Sequence, residues 1–143
     1  MIRAGRPGRY FHSKTEPLWP FGHGLSYSTF EYSDLKITPT SSFSAAVSID
    51  ITNTGERIGD EVVQLYVRDE YASVARPDKE LKRFQRITLK PGEKRTVTFT
   101  LDKDAFAFYD EKTGEWIVEP GDFTIMAGSS SADIRISKIL ILE

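Results

Sequence analysis

Phe43-Ser44-Ala45-Ala46-Val47-Ser48-Ile49-Asp50-Ile51-Thr52-Asn53-Thr54 decides the fold class. Ala45, Val47, Ile49 and Ile51 fall on one side of a period of two. Ser44, Ser48, Asp50 and Thr52 fall on the other, with only Ala46 blurring the polar set. Successive strand side chains point to opposite faces, so the alternation predicts a half-buried β-strand. Asn53-Thr54-Gly55 then supplies a turn signal, because these residue types tolerate the tight backbone of a reversal.

The same grammar extends in both directions. Upstream, Glu31 to Pro39 predicts a strand closed by Pro39 and the Thr40-Ser41-Ser42 loop. Downstream, Asp60 to Asp69 sets Val63, Leu65 and Val67 on one face and Gln64, Tyr66 and Arg68 on the other. A loop follows over 70–78. Lys79 to Leu89 carries Leu81, Phe84, Ile87 and Leu89 as its apolar positions. Their spacing shifts from three to two, which predicts a bulge or an irregular start. Lys90-Pro91-Gly92-Glu93 predicts a turn, and Arg95 to Leu101 alternates again. Ala105 to Tyr109 and Trp116 to Val118 flank the polar turn Asp110 to Gly114 as a hairpin. Pro120-Gly121-Asp122 leads into Phe123 to Gly128. After the Ser129-Ser130-Ser131 loop, Ile134 to Leu142 predicts a last strand.

Turn signals thus recur about every 8 to 12 residues, the interval of an all-β sandwich or barrel. No stretch of ten residues keeps a helical period. Ile, Val and Thr together number 31 against 9 Ala, which favours strands over helices. The expected fold is all-β: seven to nine antiparallel strands packed as a two-sheet sandwich over 31–143.

Composition narrows the function classes. The chain has 143 residues, room for one domain with its own core. It has no cysteine, which excludes disulfides, thiolate metal sites and thiol nucleophiles. Two histidines, His12 and His23, nearly exclude a multi-histidine metal site. A net charge of -2 gives no global reason to expect nucleic acid. No apolar run approaches the roughly 20 residues of a membrane span, and the basic start has no apolar stretch after it, so no signal peptide is expected. No cofactor motif is present, and none is expected. The absence of cysteine suits cytoplasmic and exported bacterial proteins alike.

Residues 1–30 differ from the rest. Gly5, Gly8, Gly22, Gly24, Pro7, Pro17 and Pro20 break regular structure, yet Tyr10, Phe11, Trp19, Phe21, Tyr27 and Phe30 are too aromatic for a disordered tail. An extended segment that presses its rings against a surface is expected.

Several constellations invite chemistry. His23, between Gly22 and Gly24, is accessible enough for a catalytic base. No serine, cysteine or acid stands at a recognisable motif spacing, so a turn histidine with a structural hydrogen bond is the better account. Residues 102–122 carry a local net charge of -5, and Asp102-Lys103-Asp104 opens like a calcium loop. Phe106 stands where an oxygen ligand belongs, and the sixth position has no glycine. A solvated acidic loop fits better. Residues 79–95 carry a local +5, but only Phe84 lies among the charges, so a base-stacking platform is missing. Edge protection, or docking of an acidic neighbour, is expected there. Trp19, Phe21, Tyr27 and Phe30 could stack on sugar rings or pack against another domain. The proline and glycine around them suggest a fixed path, which favours interdomain packing.

Glu16-Pro17-Leu18-Trp19-Pro20-Phe21-Gly22-His23-Gly24-Leu25-Ser26-Tyr27-Ser28-Thr29-Phe30-Glu31-Tyr32 resembles the entry into the C-terminal fibronectin type III-like domain of glycoside hydrolase family 3 enzymes, mostly β-glucosidases and β-xylosidases. The similarity continues through Gly59-Asp60-Glu61-Val62-Val63-Gln64-Leu65-Tyr66-Val67, Arg76-Pro77-Asp78-Lys79-Glu80-Leu81-Lys82-Arg83-Phe84 and Val97-Thr98-Phe99-Thr100-Leu101. Trp19 replaces the commoner tyrosine, and Ser28 the commoner threonine. The resemblance implies a fibronectin type III-like (immunoglobulin-like) sandwich and a parent that hydrolyses β-linked sugars with retention. In that family the aspartate nucleophile lies on a (β/α)8 barrel, and the acid/base glutamate usually on a following α/β domain. Neither motif is present, so no catalytic residue is assigned. Residues 1–30 become the linker or tail of a preceding domain, with 1–15 loosely attached. Trp19, Phe21, His23, Leu25 and Tyr27 become contacts to the catalytic domains in cis. A carbohydrate-binding module using exposed aromatics, Trp19 and Trp116 among them, is the alternative.

Overall fold

The computed structural model describes residues 18–143; the expectations for residues 1–15 lie outside them. Nine strands and one helical turn follow in order: β1 (Phe30–Ser41), β2 (Ser44–Asn53), β3 (Gly59–Asp69), β4 (Glu80–Leu89), β5 (Lys94–Leu101), α1 (Lys103–Phe106), β6 (Phe108–Asp110), β7 (Glu115–Ile117), β8 (Gly121–Ser130) and β9 (Asp133–Leu142). One sheet has the order β1-β2-β5 and the other β4-β3-β8-β9, while β6 and β7 form a separate hairpin. Every pairing is antiparallel. This is the expected sandwich.

Its core forms where the two inner faces meet. Ala45, Val47, Ile49 and Ile51 of β2 are fully buried, and they oppose Val63, Leu65, Phe123 and Ile125 of the other sheet within one apolar cluster. The alternation that predicted β2 therefore also oriented it. At about 25 cal/mol per Å² of apolar area, each of these side chains larger than alanine contributes roughly 1.5–3 kcal/mol on burial.

Three expectations need correction. Lys103–Phe106 is a single helical turn where Ala105 and Phe106 were expected to begin a strand. The turn swings both side chains into the core, Phe106 edge-on to Phe123 at 5.1 Å. Phe84 is exposed, although it was expected among the inward positions of its strand. Lys82 has no partner between the pairs Leu65–Arg83 and Tyr66–Leu81, so the expected bulge exists and shifts the parity of the strand. Phe30 belongs to β1 and is buried, which removes it from the rings that could meet a sugar.

The basic segment 79–95 is neutralised locally. Lys82 reaches Glu80 at 2.6 Å, Arg83 reaches Asp104 at 3.0 Å, Lys94 reaches Asp50 at 2.9 Å, and Arg86 pairs with Asp60. Asp104 and Asp60 both sit below the usual carboxylate range, through hydrogen bonds from Arg83 and from Thr88 and Arg86 respectively. Only the Arg83–Asp104 pair joins the +5 segment to the -5 segment; the other partners lie elsewhere. Among the described residues, every cation of this segment except Lys90 is paired with an acid.

Asn53 is fully buried at the end of β2 and holds four neighbours. Its Nδ2 donates to the carbonyls of Arg57 at 2.8 Å and Leu89 at 2.9 Å. Its Oδ1 accepts from Ser28 Oγ at 2.6 Å and from the Gly55 amide at 2.9 Å. Asn53→Ala removes all four of these hydrogen bonds, the one to the Leu89 carbonyl buried. At about 1 kcal/mol per lost hydrogen bond, a loss of about 3–4 kcal/mol is expected in urea unfolding. Asn53→Asp is expected to destabilise as well, since it keeps the acceptors but loses both donors.

Candidate functional site

The segment 18–29 crosses the molecule as a strap. It starts on the outer face of β3, passes over one end of the sandwich and enters β1. Hydrogen bonds fasten it to the sandwich at Phe21, Gly22, Ser26 and Thr29. Gln64 Nε2 donates to the Gly22 carbonyl at 2.9 Å and to the Ser129 carbonyl at 2.7 Å. The Ser131 amide donates to the Phe21 carbonyl at 2.9 Å. Ser26 Oγ donates to the Asp60 carbonyl at 2.7 Å, and the Thr54 amide to the Thr29 carbonyl at 2.9 Å. Gly22 has φ of 79°, and a Cβ there would lie 2.2 Å from Gln64 Oε1, so only glycine permits both the turn and the approach.

The strap accounts for a face that alternation alone misjudged. Gln64 and Tyr66 were expected on the outward face of their strand, and they are, yet both are buried. Tyr66 Oη donates to Gln64 Oε1 at 2.5 Å, beneath Gly22. A neutral amide with its donors and acceptor all engaged can lie under a backbone at little cost, where a charge could not.

The side chains of the strap point the other way. Leu25 is 91% and Tyr27 89% exposed, Trp19 64% and Phe21 66%. The His23 ring packs on Trp19 at 4.7 Å between centroids, and its amide closes a turn onto the Pro20 carbonyl at 3.0 Å. The backbone is therefore rigidly held while large apolar side chains stand in water. Trp19, Phe21, Leu25 and Tyr27 are thus four large apolar side chains exposed along one short segment.

Between the strap and the β8–β9 turn lies a cleft of about 510 Å³ lined by Pro20, His23, Phe30, Glu61, Asp133 and Arg135 among others. Glu61 shares the inward parity of Val63, Leu65 and Val67, so a carboxylate at that position was a signal available in the sequence and missed. Tyr32 Oη donates to Glu61 Oε1 at 2.8 Å. The Arg135 guanidinium stands 5.3 Å over the Tyr32 ring, donates to the Phe30 carbonyl and pairs with Asp133 at 2.8 Å. Burial pushes the Glu61 carboxyl above its ordinary range, against the Tyr32 hydrogen bond and the Arg135 charge, which pull it down. Burial likewise pushes the Tyr32 phenol up.

A second exposed pair sits on the β6–β7 hairpin. Tyr109 and Trp116 face each other across the strands, edge to face at 5.7 Å. Phe108 on the opposite face is buried under Arg76. Arg76 itself is inserted between Asp69 and Glu80, each at 3.1 Å, and donates to the Phe106 and Ala107 carbonyls. Among the described residues, no group of three or more histidines or acids is placed to hold a metal ion, and no helix is long and apolar enough to cross a membrane.

Residues 61–131 match the fibronectin type III-like domain family. The thermostable beta-glucosidase B of Acetivibrio thermocellus is 52% identical over 134 residues, which is 91% of this chain and 18% of that protein. A beta-xylosidase of Formosa agariphila is 52% identical over 127 residues, 87% of this chain and 17% of that protein. The crystal structure of a Bifidobacterium adolescentis GH3 beta-glucosidase superposes with a TM-score of 0.83 at 43% identity, covering 86% of this chain and 18% of that one. The chain belongs to the fibronectin type III-like domains of glycoside hydrolase family 3. It spans less than a fifth of the length of these relatives.

Within this fibronectin type III-like domain, Glu61 sets a pH dependence whose sign is fixed. A carboxyl with a raised folded pKa binds its proton more tightly when folded. Its contribution to stability is full below the unfolded value and is lost as pH rises through the folded value. Glu61→Gln keeps an acceptor for Tyr32 and removes the titration. Its stability relative to wild type is expected to rise as pH climbs above the ordinary glutamate range. Urea midpoints measured over that climb check this; a flat difference contradicts it.

Proposed function

We propose that this domain is a non-catalytic brace of a longer family 3 enzyme, and that the strap is where the catalytic domains dock. The parent, in this reading, hydrolyses β-linked glycosides with retention, and its catalytic groups lie outside this chain. Trp19, Phe21, His23, Leu25 and Tyr27 form the contact in cis, and residues 1–30 are the connection from the preceding domain. The observation that carries the reading is the contrast within the strap: its backbone is fastened by hydrogen bonds while its largest side chains face outward. A rigid apolar row loses little entropy on docking, and burying each side chain contributes about 1.5–3 kcal/mol.

Transplantation tests it. The matching segment of the A. thermocellus relative is replaced by this chain, with and without Trp19→Ser and Phe21→Ser. The double variant is expected to lower the temperature at which the chimaera loses activity by several degrees, while the isolated chain melts unchanged. Equal loss of stability in both, or in neither, overturns the brace. The isolated chain is also expected to release no chromophore from a chromogenic β-glucoside beyond a mock preparation.

A second reading rests on the hairpin. Tyr109 and Trp116 project from a hairpin anchored through Phe108 and Arg76, the arrangement a carbohydrate-binding surface requires. Retention of the chain on insoluble cellulose, lost in Trp116→Ala, favours it; no retention leaves the pair as a cross-strand contact that stabilises the hairpin.

A further inference from the structure

We infer that the cleft beneath the strap receives one basic side chain, an arginine or a lysine, presented by the domain that docks there; this rests on the docking reading above. Glu61 is only 6% exposed yet lines the cleft. One of its oxygens takes the Tyr32 hydrogen bond, and among the described residues its Oε2 accepts none. That oxygen is the part of Glu61 that opens onto the cleft, where an entering donor can reach it.

The surrounding groups select the donor's charge. Once Glu61 is ionised, two carboxylates, Glu61 and Asp133, face one guanidinium, Arg135, and the cleft then carries surplus negative charge. Arg135 is already committed to Asp133 and the Phe30 carbonyl, which leaves an anion no free counter-charge. The hydroxyl hydrogens are largely spent as well. Ser26 Oγ donates to the Asp60 carbonyl, Ser28 Oγ to Asn53 Oδ1, and Ser129 Oγ to Asp133. What they present to the cleft is lone pairs. An occupant rich in donors and positively charged satisfies both the inventory and the charge. Phe30 and Pro20 offer apolar surface for an alkyl stem, as long cationic side chains use. Pro20 and His23 belong to the strap, so whatever covers its outward rings passes the mouth of the cleft.

The probes are butylguanidinium and butylammonium, with glucose and acetate as controls. They are added to the 143-residue chain labelled with 13C at its glutamate carboxyls. Either cation is expected to shift the Glu61 carboxyl resonance saturably, at concentrations up to about 0.1 M. Glu61→Gln is expected to weaken the accompanying shift of Arg135 about tenfold. In the wild-type chain, saturation with the cation is expected to lower the pH at which Glu61 titrates, a readout that needs no variant. No saturable shift overturns the inference, as does an unmoved Glu61 titration or a response undiminished in a folded Glu61→Gln. Saturation by glucose without the cations overturns it in favour of a polyol site. The chimaera reads the strap and this titration reads the cleft, so either can fail alone.

Discussion

One side chain, Asn53, ties the architecture to the strap. It closes β2, and its amide spans from the three-stranded sheet to the Leu89 carbonyl at the end of β4 in the other sheet. The same side chain receives Ser28 and orders the turn through Gly55 and Arg57. Only an asparagine or glutamine can donate twice and accept twice from one planar group, and only asparagine is short enough to do so beside its own strand end. The packing of two sheets is otherwise apolar and non-directional. Asn53 fixes where the sheets meet at this end, and so where the strap must cross.

A similar polar pin works at the opposite end. Arg76 is buried between Asp69 and Glu80 and holds the carbonyls that leave α1. A buried pair of this kind contributes little net stability against an apolar substitute, but removing one partner strands a charge. Its effect is geometric: it sets the 70–78 loop against the β6–β7 hairpin and seats Phe108 beneath the guanidinium. Both functional candidates are therefore rigid loops and segments held by buried polar groups on an inert scaffold. That division is the usual one, in which strands supply the frame and connections carry the contacts.

The frame was legible because a strand in a sandwich repeats one decision. From Ala45 to Ile51 each inward position of β2 is apolar and each outward one is polar or small, so Val47 and Ile49 declare their face without any knowledge of what lies opposite; Asn53 is the polar inward position that ends the run. The failures come where a third layer or a local irregularity intervenes. Gln64 and Tyr66 look like solvent-facing residues because the strap covers them from 42 residues away along the chain. Phe84 looks inward because the bulge at Lys82 cannot be located from spacing alone. Ala105 and Phe106 alternate too briefly to separate one helical turn from a strand start. Glu61 was the legible exception, an acid at an inward parity.

The strap shows what a sequence pattern can and cannot say about a partner. Its prolines and glycines announce a rigid path, and its aromatic residues announce a buried destination. Within the described residues the path is present but the burial is not, since Leu25 and Tyr27 stand almost fully in water. Folding alone does not supply a reason for those side chains: Gly22, Ser26 and Thr29 hold the strap through backbone and hydroxyl groups, which would serve equally with small polar neighbours. The apolar row is thus exposed within the described residues, and in the docking reading proposed above the catalytic domains supply the surface that covers it. The relatives are more than five times the length of the segment they share with this chain.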